Sequence, residues 1–343
     1  MSLHNRALAR AGAGVLGLLA VGAFALPAAA ADSTSGDAAD VSLDAVAGTI
    51  ATGAPGKFTK IDITNHSHRV AARDILVTLD LRDLDQAKVR FNGFKGEGGP
   101  VCTPEPDRIS CRATDPALPA GTHWGWFFPI ERVAGATGNA GHIRATVTHR
   151  GADPRRSNDS ARLRIRVHGD GPDLYAVADD ADKVFHIDSD GTLHWEGPLH
   201  PGDIGTVLFM TVNQGDTPTT GMRITITLPR GVAFADADGP HGIGCQRGPG
   251  GCTPDRCVYS ADNRTVVCAY DHFPLIPTSQ DTNPDDDLVS KQGFFHRIRV
   301  CPEVTSPAVL SGGSLHVEPR GGAAAGRDVD ASDNTDEFAA IVA

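Results

Sequence analysis

The chain has 343 residues, a formal net charge of -11 at pH 7 and only 6% aromatic residues. An acidic chain lacks the basic stripe that contacts to phosphate require, so its composition argues against a nucleic-acid binder and against a binder of anionic membranes.

The N-terminal segment predicts export. Arg6 and Arg10 precede an apolar run at residues 11–26, which ends at Pro27 and four alanines. This order is typical of a cleavable secretory signal, which we assign to residues 1–31, and the run is too short and glycine-rich for a membrane span. Cleavage would remove two positive charges and change the formal charge from -11 to -13. We therefore expect a secreted, extracellular protein with no membrane insertion after the signal is cleaved.

After a linker at residues 32–39, apolar and polar residues alternate along most of the chain. Alternation with a period of two, interrupted by Gly and Pro, predicts β-strands, and long patterns with the helical period of 3.6 are missing. The clearest segments are residues 57–64, 74–81, 142–149, 161–168, 206–212, 222–228 and 296–300. The sequence therefore predicts an all-β chain.

The strand signatures recur twice in the same order. "GAPGKFTKIDITN" (53–65) matches "LHPGDIGTVLFMTVN" (199–213), because both place a Pro-Gly turn before a strand that ends in Asn. "DPRRSNDSARLRIRV" (153–167) matches "DVDASDNTDEFAAIV" (328–342), because both place an Asp-, Asn- and Ser-rich turn before a last strand. About seven short strands per unit predict two tandem immunoglobulin-like β-sandwich domains, 40–168 and 173–343, the second with a disulfide-rich insertion.

The chain also resembles a known family, over most of residues 40–168 and, more loosely, over residues 173–343. Its Pro-Gly turn, its strand with a terminal Asn, the "ISC" hairpin at 109–111, "LPAG" at 118–121 and the final "SNDSARLRIRV" are similar to the bacterial Ig-like repeat called domain of unknown function eleven. That repeat is common on secreted and surface proteins of high-GC Gram-positive bacteria. The resemblance implies a spacer, surface or adhesion-type module.

Seven cysteines in an exported chain favour disulfides over thiol chemistry. Cys102 and Cys111 lie on the two arms of one predicted hairpin and are expected to bond. In the second unit, matching "RTVVC" to "RISC" pairs Cys268 with Cys245, whereas the shared "CTP" pairs Cys268 with Cys252. We favour Cys245 with Cys268 and Cys252 with Cys257, which leaves Cys301 as the free thiol.

The stretch "HWGWFFPI" (123–130) holds two of the three tryptophans. Aligning Phe127-Phe128 with Phe294-Phe295 of the second unit superimposes residues 132–133 on 299–300. Because Arg297 and Arg299 lie on one face of the second strand, that face is expected to point to solvent. Carried to the first unit, this alignment predicts an outward face formed by Trp124, Trp126 and Phe128, which we take as the candidate binding residues. A bulge at Pro129 would reverse the assignment.

Reaction chemistry is not indicated. The sequence has no G-x-S-x-G elbow and no H-E-x-x-H pair, so we expect neither an enzyme nor a cofactor, and we assign no metal ligands. The acidic loops at 188–191 and 281–287 leave calcium binding open. An isopeptide bond between Lys60 and Asn158 is a further alternative.

These observations predict a secreted, non-enzymatic Ig-like protein that acts as an extracellular structural, adhesion or binding module. Its expected partner is a protein or polysaccharide at the cell surface, and not a nucleic acid. The alternative is a carbohydrate-binding or accessory module of a secreted hydrolytic system, in which Trp124, Trp126 and Phe128 stack on sugar rings.

Overall fold

The structure is a computed structural model that describes residues 38–46, 48–91, 100–187, 193–235, 241–242, 254, 256–282, 290–320 and 327–343. The predicted signal peptide, 1–31, lies outside the described residues. Within the described ranges, regular structure consists of β-strands and one 3-10 turn, Arg156–Asn158. The prediction of an all-β, sandwich-type fold is confirmed.

The chain divides into two compact units. Of the described residues, the first unit contains those up to Ile50 together with those in Pro55–His168, and the second contains Ala51–Ala54 together with those in Gly169–Ala343. Among the described residues, no helix is long and apolar enough to cross a membrane.

The described residues of the first unit form twelve strands. They are β1 (Val41–Ala45), β2 (Gly48–Ile50), β3 (Gly56–Asn65), β4 (Ala72–Arg73), β5 (Leu76–Asp80), β6 (Val89–Phe91), β7 (Val101–Glu105), β8 (Arg108–Arg112), β9 (Ala117–Leu118), β10 (His123–Arg132), β11 (Gly138–Thr148) and β12 (Ser160–Val167). One sheet has the order β1-β3-β10-β6, the other has the order β2-β12-β11-β5-β8-β7, and β4 pairs with β9. Alternate residues of these strands are buried, as expected for sheets with one face in a core.

The second unit repeats this plan, with twelve further strands in its described ranges. They are β13 (Leu174–Ala178), β14 (Lys183–Ile187), β15 (Leu193–Pro198), β16 (Ile204–Asn213), β17 (Gly221–Thr227), β18 (Val232–Phe234), β19 (His241–Gly242), β20 (Arg256–Tyr259), β21 (Thr265–Tyr270), β22 (Lys291–Val300), β23 (Ala308–Arg320) and β24 (Thr335–Val342). The sheets have the orders β13-β16-β22-β18 and β20-β21-β17-β23-β24, with β19 also paired to β22 and β14 paired to β15. The order β1-β3-β10-β6 thus corresponds to β13-β16-β22-β18.

The asparagine that ends the Pro-Gly strand has the same role in both units. Asn65 and Asn213 are fully buried. The Asn65 Nδ2 group donates to the carbonyl oxygens of Val70 and Leu118, and the Asn213 Nδ2 group donates to that of Leu275. Each side chain therefore satisfies loop carbonyls that the core would otherwise leave without a donor.

Candidate functional site

Strand β10 buries the residues that the sequence placed outside. Phe128 is 0% exposed and Trp126 is 7% exposed, and both lie on the core side of β10 with Ile130. Phe127 is half-buried on the opposite side. The prediction that Trp126 and Phe128 form an outward binding face is therefore wrong.

The cause is a one-residue error in the alignment of the two units. Ile130 pairs with Phe91 of β6, and Ile298 pairs with Phe234 of β18. Trp126 therefore corresponds to Phe294, and not to the preceding Gly293 as the sequence alignment had it. Because successive side chains of a strand point to opposite faces, a shift of one residue exchanges core and solvent for the whole strand. The β3–β10 pairing runs past Pro129 without a register shift, so a bulge is not the reason.

Trp124, which was also predicted to be exposed, is only partly accessible to solvent. It is half-buried, and its ring stacks on Trp126 with the ring centroids 6.4 Å apart and the planes 13° apart. Both side chains are on the core side of β10, opposite Ile63 and Ile61 of β3. The tryptophan pair is therefore mainly a packing element at the margin of the core.

The opposite side of β3 and β10 carries a different apolar surface. Phe58 is 49% exposed and lies directly opposite Pro129, and Phe127 lies directly opposite Lys60. Lys60 is buried although it shares this side with Phe58, and its Nζ lies 2.8 Å from the Asp62 Oδ1. We call these five residues the outer face.

A glycine allows Lys60 to lie flat on the outer face. A Cβ added at Gly125 would lie 2.5 Å from the Lys60 Cε, so the lysine stem crosses the place where any other residue would put its side chain. Lys60 is therefore held beside Asp62 while the ring of Phe58 is presented to solvent. The Asn158 Nδ2 group donates to the Asp40 Oδ1 over 3.2 Å, so Lys60 and Asn158 each have another polar partner. This arrangement does not favour an isopeptide bond between them.

The disulfides follow one rule in both units. Cys102 bonds to Cys111, the pairing that the hairpin predicts, and Cys257 bonds to Cys268. In each case the two cysteines are directly opposite on neighbouring antiparallel strands, with Cα atoms 4.0 Å and 4.1 Å apart. Such close opposed positions are the ones that a cross-strand bridge requires.

The predicted pairs of Cys245 with Cys268 and of Cys252 with Cys257 are therefore wrong. The comparison of short matching segments did not use the strand pairing, which places Cys257 and Cys268 in one hairpin. Cys245 and Cys252 lie outside the described residues. Cys301 is a half-buried free thiol, and burial, with the nearby charge of Glu303, raises its pKa. A thiol of this kind is a weak nucleophile at neutral pH.

The acidic loops considered for calcium can be placed only in part. Residues 188–191 lie outside the described residues, as do residues 283–289. Asp281 is described, and its Oδ2 accepts hydrogen bonds from the amide and the hydroxyl of Ser290 at 3.1 Å and 2.6 Å. The Asp281 carboxylate therefore joins the two described ends of this segment.

The turn before the last strand carries an acidic cluster in each unit. In the first unit, the Asp153 Oδ2 accepts hydrogen bonds from the Val41 amide and the His149 Nε2, and its Oδ1 accepts one from the Arg155 amide. Burial alone would raise the pKa of Asp153, but these hydrogen bonds outweigh burial and lower it. In the second unit, Asp173, Asp328 and Asp333 converge, with one carboxylate oxygen of each within 4.8 Å of the others.

A second acidic segment follows strand β13. Burial, reinforced by the charges of Asp180 and Asp182, raises the pKa of Asp179 to about 7. The Asp180 Oδ1 accepts a hydrogen bond from the Ala339 amide over 2.6 Å, which ties the segment to β24. Asp179 is thus a carboxyl group that takes up a proton near neutral pH.

Comparisons with known proteins give no family. No family model matches the chain, and no curated protein matches it. Among solved structures, it is similar to the major pilin subunit of Bacillus cereus at 10% identity and a TM-score of 0.27, over 79% of this chain and 64% of that one. It is similar to the major pilin SpaD of Corynebacterium diphtheriae at 9% identity and a TM-score of 0.26, over 78% of this chain and 60% of that one.

An enzyme is among the similar structures as well. The red sea bream transglutaminase is similar at 10% identity and a TM-score of 0.25, over 90% of this chain and 32% of that one. Identities and TM-scores of this size do not bear on function. The assignment of the fold rests on the strand order of the chain itself.

Proposed function

We propose that the protein is an exported, non-enzymatic β-sandwich module that acts as an extracellular structural or adhesion element. One observation carries the proposal: both units have the same disulfide at the same place, between opposed cysteines of the hairpin that ends a sheet. Structural disulfides persist in oxidising compartments and are rare in the cytosol. A brace repeated in both units fits a protein that has to stay folded outside the cell.

The outer face of the first unit is the proposed contact surface. A half-exposed Phe58 beside a buried Lys60 reverses the usual distribution of these residue types on a strand. Exposed aromatic side chains that adjoin other apolar groups, here Pro129 and Phe127, mark many interaction surfaces. We therefore place the contact to a cell-surface protein or polysaccharide on this face, in place of the predicted Trp126 and Phe128.

A sedimentation assay tests the contact surface. The purified mature chain is mixed with insoluble cell walls of a Gram-positive bacterium, and with cellulose as a second probe. We expect the wild type to sediment with the walls and Phe58→Ser to lose at least fivefold in retention, because the substitution removes the exposed ring without opening a core cavity. Val258→Ser is the matched control, since Val258 is another exposed apolar residue, 55% exposed, on strand β20 of the second unit.

The other outcomes separate the alternatives. Retention on cellulose alone, with the same loss in Phe58→Ser, would favour the carbohydrate-binding alternative. Equal retention of wild type, Phe58→Ser and Val258→Ser on the walls would show that the outer face is not the contact surface.

A further inference from the structure

We propose that the second unit binds a Ca²⁺ ion between the start of β13 and the turn before β24, through Asp173, Asp328 and Asp333. One carboxylate oxygen of each residue lies within 4.8 Å of the others. Three oxygens about 4.8 Å from one another lie about 2.8 Å from their common centre, and Ca²⁺ binds oxygen at about 2.3–2.6 Å, so small side-chain movements bring all three onto a single ion.

Backbone groups hold these carboxylates in place. The Leu174 amide donates to the Asp328 Oδ2 over 2.9 Å, and the Asp330 amide donates to the Asp328 Oδ1 over 3.0 Å. The Ala176 amide donates to the Asp333 carbonyl over 3.0 Å. Asp173 is 0% exposed and Asp333 is also buried. The cluster is therefore part of the folded framework, unlike a set of acidic residues on a solvated loop.

The first unit contains the same framework, which allows a residue-by-residue comparison. Val41 pairs with Asn65 and Leu174 pairs with Asn213, so the preceding residues, Asp40 and Asp173, correspond. Asp153 accepts the amides of Val41 and Arg155 just as Asp328 accepts those of Leu174 and Asp330. The turns 153–159 and 328–334 therefore correspond position by position.

The first unit supplies its own positive charge at this place. The Arg155 Nε donates to the Asp40 Oδ2 over 2.7 Å, and the Asn158 Nδ2 donates to the Asp40 Oδ1 over 3.2 Å. In the second unit the position of Arg155 is Asp330, and the position of Asn158 is Asp333. A guanidinium and an amide donor are thus both replaced by carboxylates.

The exchange changes the charge of the cluster. The five corresponding positions carry a formal charge of -2 in the first unit, at Asp40, Asp153, Arg155, Asn158 and Asp159. They carry -4 in the second unit, at Asp173, Asp328, Asp330, Asp333 and Asn334. Carboxylates brought together in a buried place repel one another, and a divalent cation removes that repulsion.

Asn334 adds an independent indication of a ligand. Its side chain is 2% exposed, and its Oδ1 accepts no hydrogen bond within the part of the chain that the structure describes. Its counterpart in the first unit is Asp159, because the Val147 amide donates to the Asp159 carbonyl over 2.8 Å and the Val317 amide donates to the Asn334 carbonyl over 2.9 Å. Asn334 directly follows Asp333, one of the three proposed ligands. A buried amide oxygen without a donor is costly, and such an oxygen is a common Ca²⁺ ligand.

The set of oxygens favours Ca²⁺ over Mg²⁺. Ca²⁺ accepts six to eight oxygen ligands in flexible geometry, whereas Mg²⁺ keeps several waters and usually binds through one or two carboxylates. Three carboxylates that converge from two parts of the chain, with the buried amide of Asn334 next to Asp333 in the sequence, match the first description.

Calorimetric titration of the mature chain, freed of metal by a chelator, tests this site with CaCl₂ and MgCl₂ as probes. We expect one Ca²⁺ per chain, a rise in Tm on adding CaCl₂, and weaker binding of Mg²⁺ by at least tenfold. Asp333→Asn should weaken Ca²⁺ binding at least tenfold. Asp330→Arg combined with Asp333→Asn installs the residues of the first unit, and this chain should fold and lose its response to CaCl₂. Glu337→Gln, an exposed acid on β24, is the matched control and should behave like the wild type.

Two results would overturn the proposal. One is a wild type that shows neither binding heat nor a change in Tm up to 10 mM CaCl₂, a concentration about tenfold above that which fills weak extracellular sites. The other is equal Ca²⁺ affinity in the wild type, Asp333→Asn and Glu337→Gln, which would indicate binding by the acidic surface in general. If the double variant does not fold, the titration of Asp333→Asn decides.

Discussion

Trp126 fills the position in the first unit that Phe294 fills in the second, on the core side of a central strand. Trp126→Ala would leave a large cavity beside Ile61 and should lower the free energy of unfolding by about 3–5 kcal/mol. Trp126→Phe should keep most of the stability, because a phenylalanine serves at the corresponding place. Urea unfolding followed by circular dichroism measures both, and a loss below about 1 kcal/mol for Trp126→Ala would contradict the buried placement.

The Asp179 carboxyl makes stability depend on pH in a defined direction. Its pKa in the folded chain, about 7, lies above the usual value of 3.8, so the folded state holds a proton that the unfolded state has released. The unfolding free energy should therefore fall as the pH rises from about 4 to about 7, by up to roughly 4 kcal/mol, and should stay level above pH 7.

Asp179→Asn should remove this fall and stabilise the chain at neutral pH, because the amide carries no charge to desolvate. Chemical unfolding at pH values between 5 and 8, with Glu337→Gln as the control for an exposed acid, measures the difference. A pH dependence that is the same in Asp179→Asn and in the wild type would assign the effect to other groups.

At the scale of strands, alternation predicted which segments are extended, but the alignment of β10 with β22 was wrong by one residue for a specific reason. His296 occupies a core position of β22, where its Nε2 lies 3.1 Å from the Tyr259 hydroxyl and its ring centroid lies 4.4 Å from that of Phe234. A polar residue at a buried position hides the apolar period. The two phenylalanine pairs then gave a better match of residue types than the true register, in which Phe128 corresponds to His296.

For the disulfides, the hairpins predict the pairing correctly where the comparison of sequence segments does not. The spacing of Cys102 and Cys111, nine residues apart, places them opposite each other in β7 and β8, and the same rule applied to Cys257 and Cys268, eleven apart, gives the observed second bridge. The shared "CTP" segment concealed this because it aligned Cys252 with Cys102. Which cysteines lie opposite each other depends on the register of the paired strands, and similarity between short segments does not reveal that register.

For the whole molecule, the order of strands could be predicted because each unit repeats the same turn chemistry, down to the buried Asn65 and Asn213. The cluster around Asp173 could not be predicted, since Asp173 is more than 150 residues from Asp328 and Asp333 along the chain. It meets them only through the hydrogen bonds between β13 and the turn before β24. Comparison of the corresponding turns of the two units nevertheless contains a sign of this cluster. Aligning 153–159 with 328–334 places Asp330 at Arg155. This reversal of charge becomes informative once the structure shows that Asp40 lies beside the first turn and that Asp173 lies beside the second.

The two disulfide bonds should form only in an oxidising environment. Protein produced through an export route should contain the Cys102–Cys111 and Cys257–Cys268 bonds when its peptides are mapped by mass spectrometry without reduction. Iodoacetamide should label Cys301 slowly, since the raised pKa of that thiol keeps it protonated. Chain made in a reducing cytosol should lack both bridges. Each bridge closes a short loop, so its loss should cost about 3 kcal/mol and lower the Tm by several degrees. A map that joins Cys268 to Cys245 or Cys252 would restore the pairing favoured by sequence similarity and would contradict the hairpin rule, because Cys257 is the residue that lies opposite Cys268 in the ladder of β20 and β21.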